Sequence, residues 1–95
     1  MHRHTVLFNI KESSNSKDVI TKMKELKSLP TVEDMVIEKN IVPTSDHSPF
    51  EWCLIGDFKD QEARDAYEKH NLHVEIIRNI FLPHVKKFIM SDINF

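Results

Sequence analysis

The alternation of side chains in the first ten residues constrains the fold more than any other feature of the sequence. It defines two faces, with His4, Val6, Phe8 and Ile10 on one and Thr5, Leu7 and Asn9 on the other. A repeat of two residues is typical of a β-strand, in which successive side chains point to opposite sides. Because one face is rich in apolar side chains and the other is mixed, we predict a strand that separates two different environments.

Two further segments show strand character and are joined by a short polar connection. We predict a second strand over 35–41 and a third over about 50–58. The apolar side of the second strand comprises Met35, Ile37 and Ile41. The connection, residues 42–49, contains two prolines and is too short to hold a crossover helix. The two strands are therefore predicted to be antiparallel.

The third predicted strand carries the only glycine of the chain. Its faces comprise Phe50, Trp52, Leu54, Gly56 and Phe58 on one side, and Glu51, Cys53, Ile55 and Asp57 on the other. A lone glycine excludes the phosphate-binding loops of nucleotide-binding proteins, which need several glycines at close spacing. The missing side chain of Gly56 leaves room beside Leu54, and we expect a ligand or a neighbouring aromatic ring to occupy it.

Helical periodicity follows the first strand. Apolar residues recur at the spacing of one helix face, namely Val19, Ile20, Met23 and Leu26. Asn15 or Ser16 is expected to cap this helix, and Pro30 is expected to end it. After the later helical region, a last strand is predicted over 88–95.

The region between the third strand and the last is predicted to hold two helical stretches. Asp60 is expected to cap the first stretch. Its inward face comprises Ala63, Ala66, Tyr67 and His70. Asn71 is expected to break this helix or to cap the next, which ends at Pro83. The inward face of the second stretch comprises His73, Ile77, Ile80 and His84, with Val74 and Phe81 beside them.

The predicted order of elements is β-α-β-β-α-β over a single domain, residues 1–95. This is the order of the ferredoxin-like α+β fold, an antiparallel sheet with helices on one face. The other face then stays uncovered, and it carries Leu7, Cys53 and Ile55. Because a large exposed apolar patch is rare on a soluble monomer, we predict a homodimer that packs sheet face against sheet face.

The composition excludes several classes of protein. Lysine and arginine number 13 against 15 aspartate and glutamate, and this net charge of -2 argues against a nucleic-acid partner. The single cysteine, Cys53, excludes an intrachain disulfide. The apolar runs are far shorter than the roughly 20 residues of a membrane helix, and the alternating N-terminus differs from a signal peptide. We therefore expect a cytoplasmic protein that does not insert into a membrane.

Three stretches of the sequence resemble the stress-responsive A/B barrel domain family, which belongs to the dimeric α+β barrel superfamily. They are the opening strand 4–11, the segment 50–60 and the stretch 66–74. The last stretch is similar to the family's Ala-Tyr-x-x-His-Pro-x-His pattern, with Asn71 where the family usually has proline. The resemblance implies a ferredoxin-like subunit and a homodimer whose two sheets form a barrel.

The same resemblance implies candidate site residues. A few plant members of the family act as polyketide cyclases and use a His and a Tyr in a pocket between sheet and helices. Those two positions correspond to His73 and Tyr67, and the family's strand histidine corresponds to His4. Many other members are known only as stress-associated proteins, so the resemblance leaves the activity open.

Two readings of these side chains are open. His73 lies near a helix N-terminus, where the helix dipole disfavours an imidazolium, so we expect a neutral general base. Tyr67 is then suited to donate a hydrogen bond to a developing enolate oxygen, and His4 to orient a substrate. In the alternative reading, His70 and His73 bridge the helix break to backbone carbonyls and serve packing alone.

Two functions follow from these readings. The first is the binding of a small apolar or carbonyl-bearing molecule in a pocket between sheet and helices, or a stress-linked role without known chemistry. The predicted lining comprises His4, Val6, Phe8, Val19, Met23, Trp52, Leu54, Gly56, Tyr67, His73 and Ile77. The second is a cyclase, lyase or isomerase in which His73 is the general base and Tyr67 the oxyanion donor.

We expect no cofactor and no metal. His2 and His4 share one strand face, with His73 or His84 as a third possible ligand, but no cysteine pair or carboxylate cluster accompanies them. Haem-degrading relatives in the same superfamily use a Trp, an Asn and a His. Here Asn9 alternates to the face opposite the only tryptophan, so the three side chains are not expected to converge.

Overall fold

The computed structural model describes residues 1–95 and confirms the predicted β-α-β-β-α-β order. The strands are β1 (His2–Ile10), β2 (Val32–Lys39), β3 (Trp52–Phe58) and β4 (Val85–Asn94). The helices are α1 (Ser16–Met23), α2 (Gln61–Lys69), α3 (Asn71–Ile76) and α4 (Leu82–His84), with a 3₁₀ turn at Lys24–Ser28 and a π-helical turn at Ile77–Phe81. The strands form one sheet in the order β2-β3-β1-β4, and every neighbouring pair is antiparallel. This is the predicted ferredoxin-like α+β fold.

The helix-covered face of the sheet carries the hydrophobic core. Phe8 and Phe58 are fully buried there, and Val6 lies opposite Leu54 in the β1–β3 ladder. Met23, at the end of α1, packs into the same cluster. Each such side chain contributes about 1.5–3 kcal/mol to folding when it leaves water. The alternation in the first ten residues therefore identified the buried face correctly.

Two predicted helix caps are present. The Asn15 side-chain oxygen accepts a hydrogen bond from the Asp18 backbone N–H at 3.1 Å. Asp60 accepts in the same way from the Ala63 N–H at 2.9 Å. Each cap satisfies one of the N–H groups that the first turn of a helix leaves without a partner. The starts of α1 and α2 are thereby fixed.

The second strand lies three residues earlier than predicted at its start, and it ends before Ile41. The cause is Asn40, whose side-chain oxygen accepts a hydrogen bond from the Val42 N–H at 2.9 Å and turns the chain. The Asn40 amide also donates to the Phe50 carbonyl at 3.0 Å. As a result Ile41 is 97% exposed and does not share a face with Met35, contrary to the prediction.

The junction of α2 and α3 differs from the predicted inward face. Ala66 and His70 are exposed, so neither contributes to the core as expected. His70 instead ends α2 in extended backbone, and its Nδ1 accepts a hydrogen bond from the Leu72 N–H at 3.1 Å. The cap of α3 is therefore His70, one residue before the predicted position at Asn71.

The π-helical turn Ile77–Phe81 moves the inward face of the last helical region. A regular period of 3.6 residues does not describe this stretch, because the π turn is wider. Ile76 is buried although it was not predicted, whereas Val74 is 39% exposed. His84 is also not part of an inward face: its Nδ1 lies 2.8 Å from Ser14 Oγ and ties α4 to the loop after β1.

No helix covers the outer face of the sheet. Leu7, Cys53 and Ile55 are half-buried there. Their neighbours Val36, Ile89 and Ile93 are each about half exposed. The outer face of a single chain therefore carries apolar side chains that no helix covers, together with the Arg3–Asp57 ion pair. No helix of this fold has the length and apolar character that crossing a bilayer requires.

Candidate functional site

A cavity of about 240 Å³ lies between the sheet and the helical region that follows β3. Its wall is mostly apolar and comprises Val6, Met23, Leu26, Leu54, Ile77, Phe81, Leu82, Phe88 and Met90. The polar lining comprises His4, Arg64, Tyr67, Glu68 and His73. Leu82, Phe88 and Met90 are exposed, so the cavity opens to solvent beside β4. An apolar concave site with a few polar groups is the usual form of a small-molecule site.

Seven of the predicted pocket residues line this cavity, namely His4, Val6, Met23, Leu54, Tyr67, His73 and Ile77. Phe8 and Val19 do not, because both lie within the closed core. Trp52, the first residue of β3, also lies outside the lining and packs against the core. Gly56 leaves no open room: a Cβ there would lie 3.0 Å from Met35 Cε.

Tyr67 is held by aromatic contacts on both sides. Its ring centroid lies 4.9 Å from that of Phe58 and 4.6 Å from that of His73. Burial raises the pKa of the Tyr67 hydroxyl well above its ordinary value, with a smaller opposing effect from Arg64. The hydroxyl is therefore a neutral hydrogen-bond donor at the wall of the cavity at any physiological pH.

Burial keeps His73 neutral, a cause that the sequence did not reveal. Burial lowers the pKa of His73 below its ordinary value of 6.5, and the Glu68 carbonyl and carboxylate oppose this only in part. His73 thus enters the cavity uncharged because its ring leaves water.

Asp92, which the sequence reasoning missed, joins the two strand histidines. Its carboxylate lies 2.6 Å from His4 Nδ1 and 2.7 Å from His2 Nε2. Partial burial raises the pKa of Asp92, but the hydrogen bonds from the two histidines together lower it below its ordinary value. Asp92 is the only acidic residue of β4 and lies opposite His4 in the ladder, and this is the signal that could have identified it.

Arg64 completes the charged wall on the side of α2. Its Nε lies 3.2 Å from Asp92 Oδ2, and its Nη1 forms an ion pair with Glu68. Tyr67 and Glu68 lie three and four residues after Arg64, so both neighbour Arg64 on the surface of the helix. The sequence reasoning assigned no role to Arg64 or Glu68, because charged residues on a helix are usually solvated.

The structure does not bring together the residues of a metal or haem site. The imidazoles of His2 and His4 face Asp92, and no group of three or more His, Cys, Asp or Glu has an arrangement fit to hold a metal ion. Asn9 is occupied elsewhere: its amide donates to the Pro49 carbonyl at 2.8 Å, and its oxygen accepts from the Glu51 N–H at 2.7 Å.

Comparison with known proteins gives this architecture a family. The family model of the stress-responsive A/B barrel domain matches residues 3–95, which confirms the resemblance seen in the sequence. No curated protein matches the sequence.

Several solved structures share the fold. A Dabb family protein with a ferredoxin-like fold from Mesorhizobium loti is 28% identical, with a TM-score of 0.87 over 99% of this chain and 95% of that one. A dimeric ferredoxin-like protein of unknown function from Thermobifida fusca is 16% identical, with a TM-score of 0.82 over 99% and 90%. A hydroxynitrile lyase from Passiflora edulis is 17% identical, with a TM-score of 0.82 over 98% and 93%.

Proposed function

The chain belongs to the stress-responsive A/B barrel domain family, and from this premise we propose that it binds a small apolar or carbonyl-bearing molecule between its sheet and its helices. The observation that carries the proposal is the open cavity of about 240 Å³ with an apolar wall and a polar group of side chains. Tyr67 offers a hydroxyl that stays protonated, which suits a carbonyl oxygen. The exposed Leu82 and Met90 at the opening suit an apolar part of the same ligand.

We test binding with phenylacetone, its alcohol counterpart and propylbenzene, three compounds of similar shape that differ in the polar group. A ligand at 100 times its Kd stabilises the native state by about 2.7 kcal/mol. For a chain of this size that corresponds to a rise in Tm of about 10 °C or more. We expect the ketone to give the largest rise in Tm, because its carbonyl oxygen accepts from Tyr67 and, unlike the alcohol, it brings no O–H donor that the apolar wall would leave without a partner.

A blocked cavity provides the matched control. Met90→Trp places a large ring at the opening, on a strand residue that is 61% exposed and tolerates the change. Ile41→Trp places the same ring on the fully exposed loop after β2. We expect Met90→Trp to abolish the rise in Tm and Ile41→Trp to retain it. Equal rises in both variants, or none of the three compounds binding the original protein, would contradict the proposal.

We also propose that two chains pack through their outer sheet faces into a homodimer. The support is the uncovered apolar surface around Leu7 and Ile55, together with dimeric relatives such as the Thermobifida fusca protein. Apolar surface of this kind is the usual core of a symmetric interface between copies. The cavity lies on the opposite side of the sheet, so dimer formation leaves its opening free.

Catalysis of the cyclase, lyase or isomerase type is the second candidate function. One observation favours it: Tyr67 and His73 pack ring against ring at 4.6 Å on the wall of an open cavity. A filled cavity would have excluded this role. The Passiflora edulis relative is a hydroxynitrile lyase, which shows that the fold accommodates such chemistry in that protein. The hypothesis from the sequence assigns His73 as the general base, Tyr67 as the oxyanion donor and His4 as the residue that orients the substrate.

A further inference from the structure

The two histidines of the cavity differ in what faces them. His4 Nδ1 lies 2.6 Å from Asp92 Oδ1 inside the protein, and the His4 side chain is 8% exposed. His73 faces the ring of Tyr67 instead, and the Glu68 carboxylate acts on it only through its charge. One imidazole is therefore anchored by a carboxylate at hydrogen-bond distance, and the other by ring packing and the Glu68 backbone carbonyl.

The contact with Asp92 determines how His4 carries its proton. An ionised carboxylate only accepts hydrogen bonds, so the nitrogen that faces it must carry the hydrogen. In neutral His4 that nitrogen is Nδ1, and the unshared pair of Nε2 is left for the cavity. Asp92 is kept ionised by its second histidine partner, His2, and by the Arg64 guanidinium at 3.2 Å.

The same contact gives His4 a carboxylate partner at 2.6 Å, which is the arrangement that orients the proton acceptor in other carboxylate–histidine pairs. His73 lacks such a partner, and burial opposes its protonation. The charged and titratable groups around the cavity are otherwise Arg64, Glu68 and Tyr67, and the first two form an ion pair with each other.

We propose that His4, and not His73, accepts the proton in this cavity, and that Asp92 is its positioning residue. The inference rests on the proposed binding of a carbonyl-bearing molecule. In the step, the C–H bond next to the carbonyl breaks and its proton moves to His4 Nε2. The electron pair of that bond forms the C=C bond of an enolate, and the C=O π pair moves onto the oxygen, which accepts a hydrogen bond from the Tyr67 hydroxyl. Return of a proton from the imidazolium restores the ketone.

The tautomer of His4 tests the arrangement without any ligand. Nitrogen-15 NMR of the whole protein distinguishes a ring nitrogen that carries hydrogen from one that does not. We expect neutral His4 to be protonated at Nδ1, and this preference to be lost in Asp92→Asn, whose amide can donate as well as accept. A neutral His4 protonated at Nε2 in the original protein would overturn the proposal.

Exchange of the acidic hydrogens of phenylacetone in D₂O, followed by proton NMR, tests the proton transfer itself. We expect the protein to accelerate exchange, His4→Gln to lose about 100-fold of that acceleration, and Asp92→Asn to lose at least about tenfold. His73→Gln is expected to lose less than either. His47→Gln, in the exposed loop between β2 and β3, is the matched histidine control and is expected to exchange at the original rate.

Chemical-shift changes on adding phenylacetone distinguish failure of the proposed role of His4 from failure of the proposed binding function. Saturable binding at cavity residues without accelerated exchange would overturn the role of His4 and leave the proposed binding function standing. A larger loss in His73→Gln than in His4→Gln would assign the base to His73 and overturn the proposal. Retained binding of phenylacetone by a folded His4→Gln variant, together with lost exchange, would support it, because a merely structural role would not separate the two.

Discussion

The two faces of the sheet have the same alternating sequence pattern but very different surroundings. On the helix side, Phe8 and Leu54 are almost completely buried by α1 and the later helices. On the outer side, the adjacent residues Leu7 and Ile55 are only half-buried, and Ile89 is 52% exposed. A single chain therefore buries a packed core on the helix face, whereas the apolar side chains of the outer face stay partly exposed.

This difference shows what a strand pattern can and cannot specify. Alternation decides which side chains share a face, because the period of a strand is two. It does not say whether a helix, a second chain or water will cover that face. Here the helix face contains the cavity lined by Tyr67 and His73. The outer face carries uncovered apolar side chains that suit contact with another copy of the chain.

The largest effect should come from removing a core ring on the helix side. We expect Phe8→Ala to lower the free energy of unfolding by about 3–5 kcal/mol, because it leaves a cavity in a closed core. Leu7→Ala, one residue earlier and on the other face, should cost less in a single chain. Urea unfolding of both variants measures the difference. Equal losses at low protein concentration would mean that the two faces are equally well packed.

A charge on the outer face should have the next largest effect. We expect Ile55→Lys to raise the dissociation constant of the proposed dimer by at least about 30-fold, because the interface would bury an unpaired ammonium group at a cost of about 2 kcal/mol. Sedimentation at several concentrations follows the shift from twice the chain mass to 11.2 kDa. Ile41→Lys, in the exposed loop, is the control and should leave the mass unchanged. If the unaltered protein sediments as a single chain at micromolar concentration, the dimer is excluded.

The fold could be predicted because each of its determinants is local. The strand alternation, the caps at Asn15 and Asp60, and the short β2–β3 connection act through neighbouring residues. The errors in the predicted strand end and helix face also have local causes, but a regular repeat of two or 3.6 residues does not reveal them. The Asn40 side chain ends β2 early, and the π-helical turn at Ile77–Phe81 adds to the helical repeat.

The site was predicted less completely because its polar groups meet across the sheet. Tyr67 and His73 are close in sequence, and the resemblance of residues 66–74 to the family pattern identified both. Asp92 reaches His4 only through the pairing of β1 with β4, at a separation of 88 residues. Arg64 was not identified either, since its position on α2 looks like any solvated helix residue until β4 is placed beside it.

A smaller effect is expected at Gly56, which faces the helix side beside the cavity. An added Cβ would lie 3.0 Å from Met35 Cε and 3.3 Å from Phe58 Cε2, so the flexible methionine end must move. We expect Gly56→Ala to cost about 1 kcal/mol of stability and to leave the binding of phenylacetone unchanged. Urea unfolding and the thermal-shift assay measure the two quantities. Loss of binding would show that the ligand occupies the space beside Gly56.

The smallest effect concerns the dependence of stability on pH. Burial lowers the pKa of His73, so the unfolded chain binds a proton at that residue more readily than the folded one. The free energy of unfolding should therefore fall as the pH drops through 6.5 towards the lower pKa of the folded state. His73→Phe keeps a ring against Tyr67 and removes the titration, so its stability should vary less over this interval. Urea unfolding at pH 7.5 and at pH 5.5 measures both slopes. Equal slopes in the two proteins would show that folding does not lower the pKa of His73.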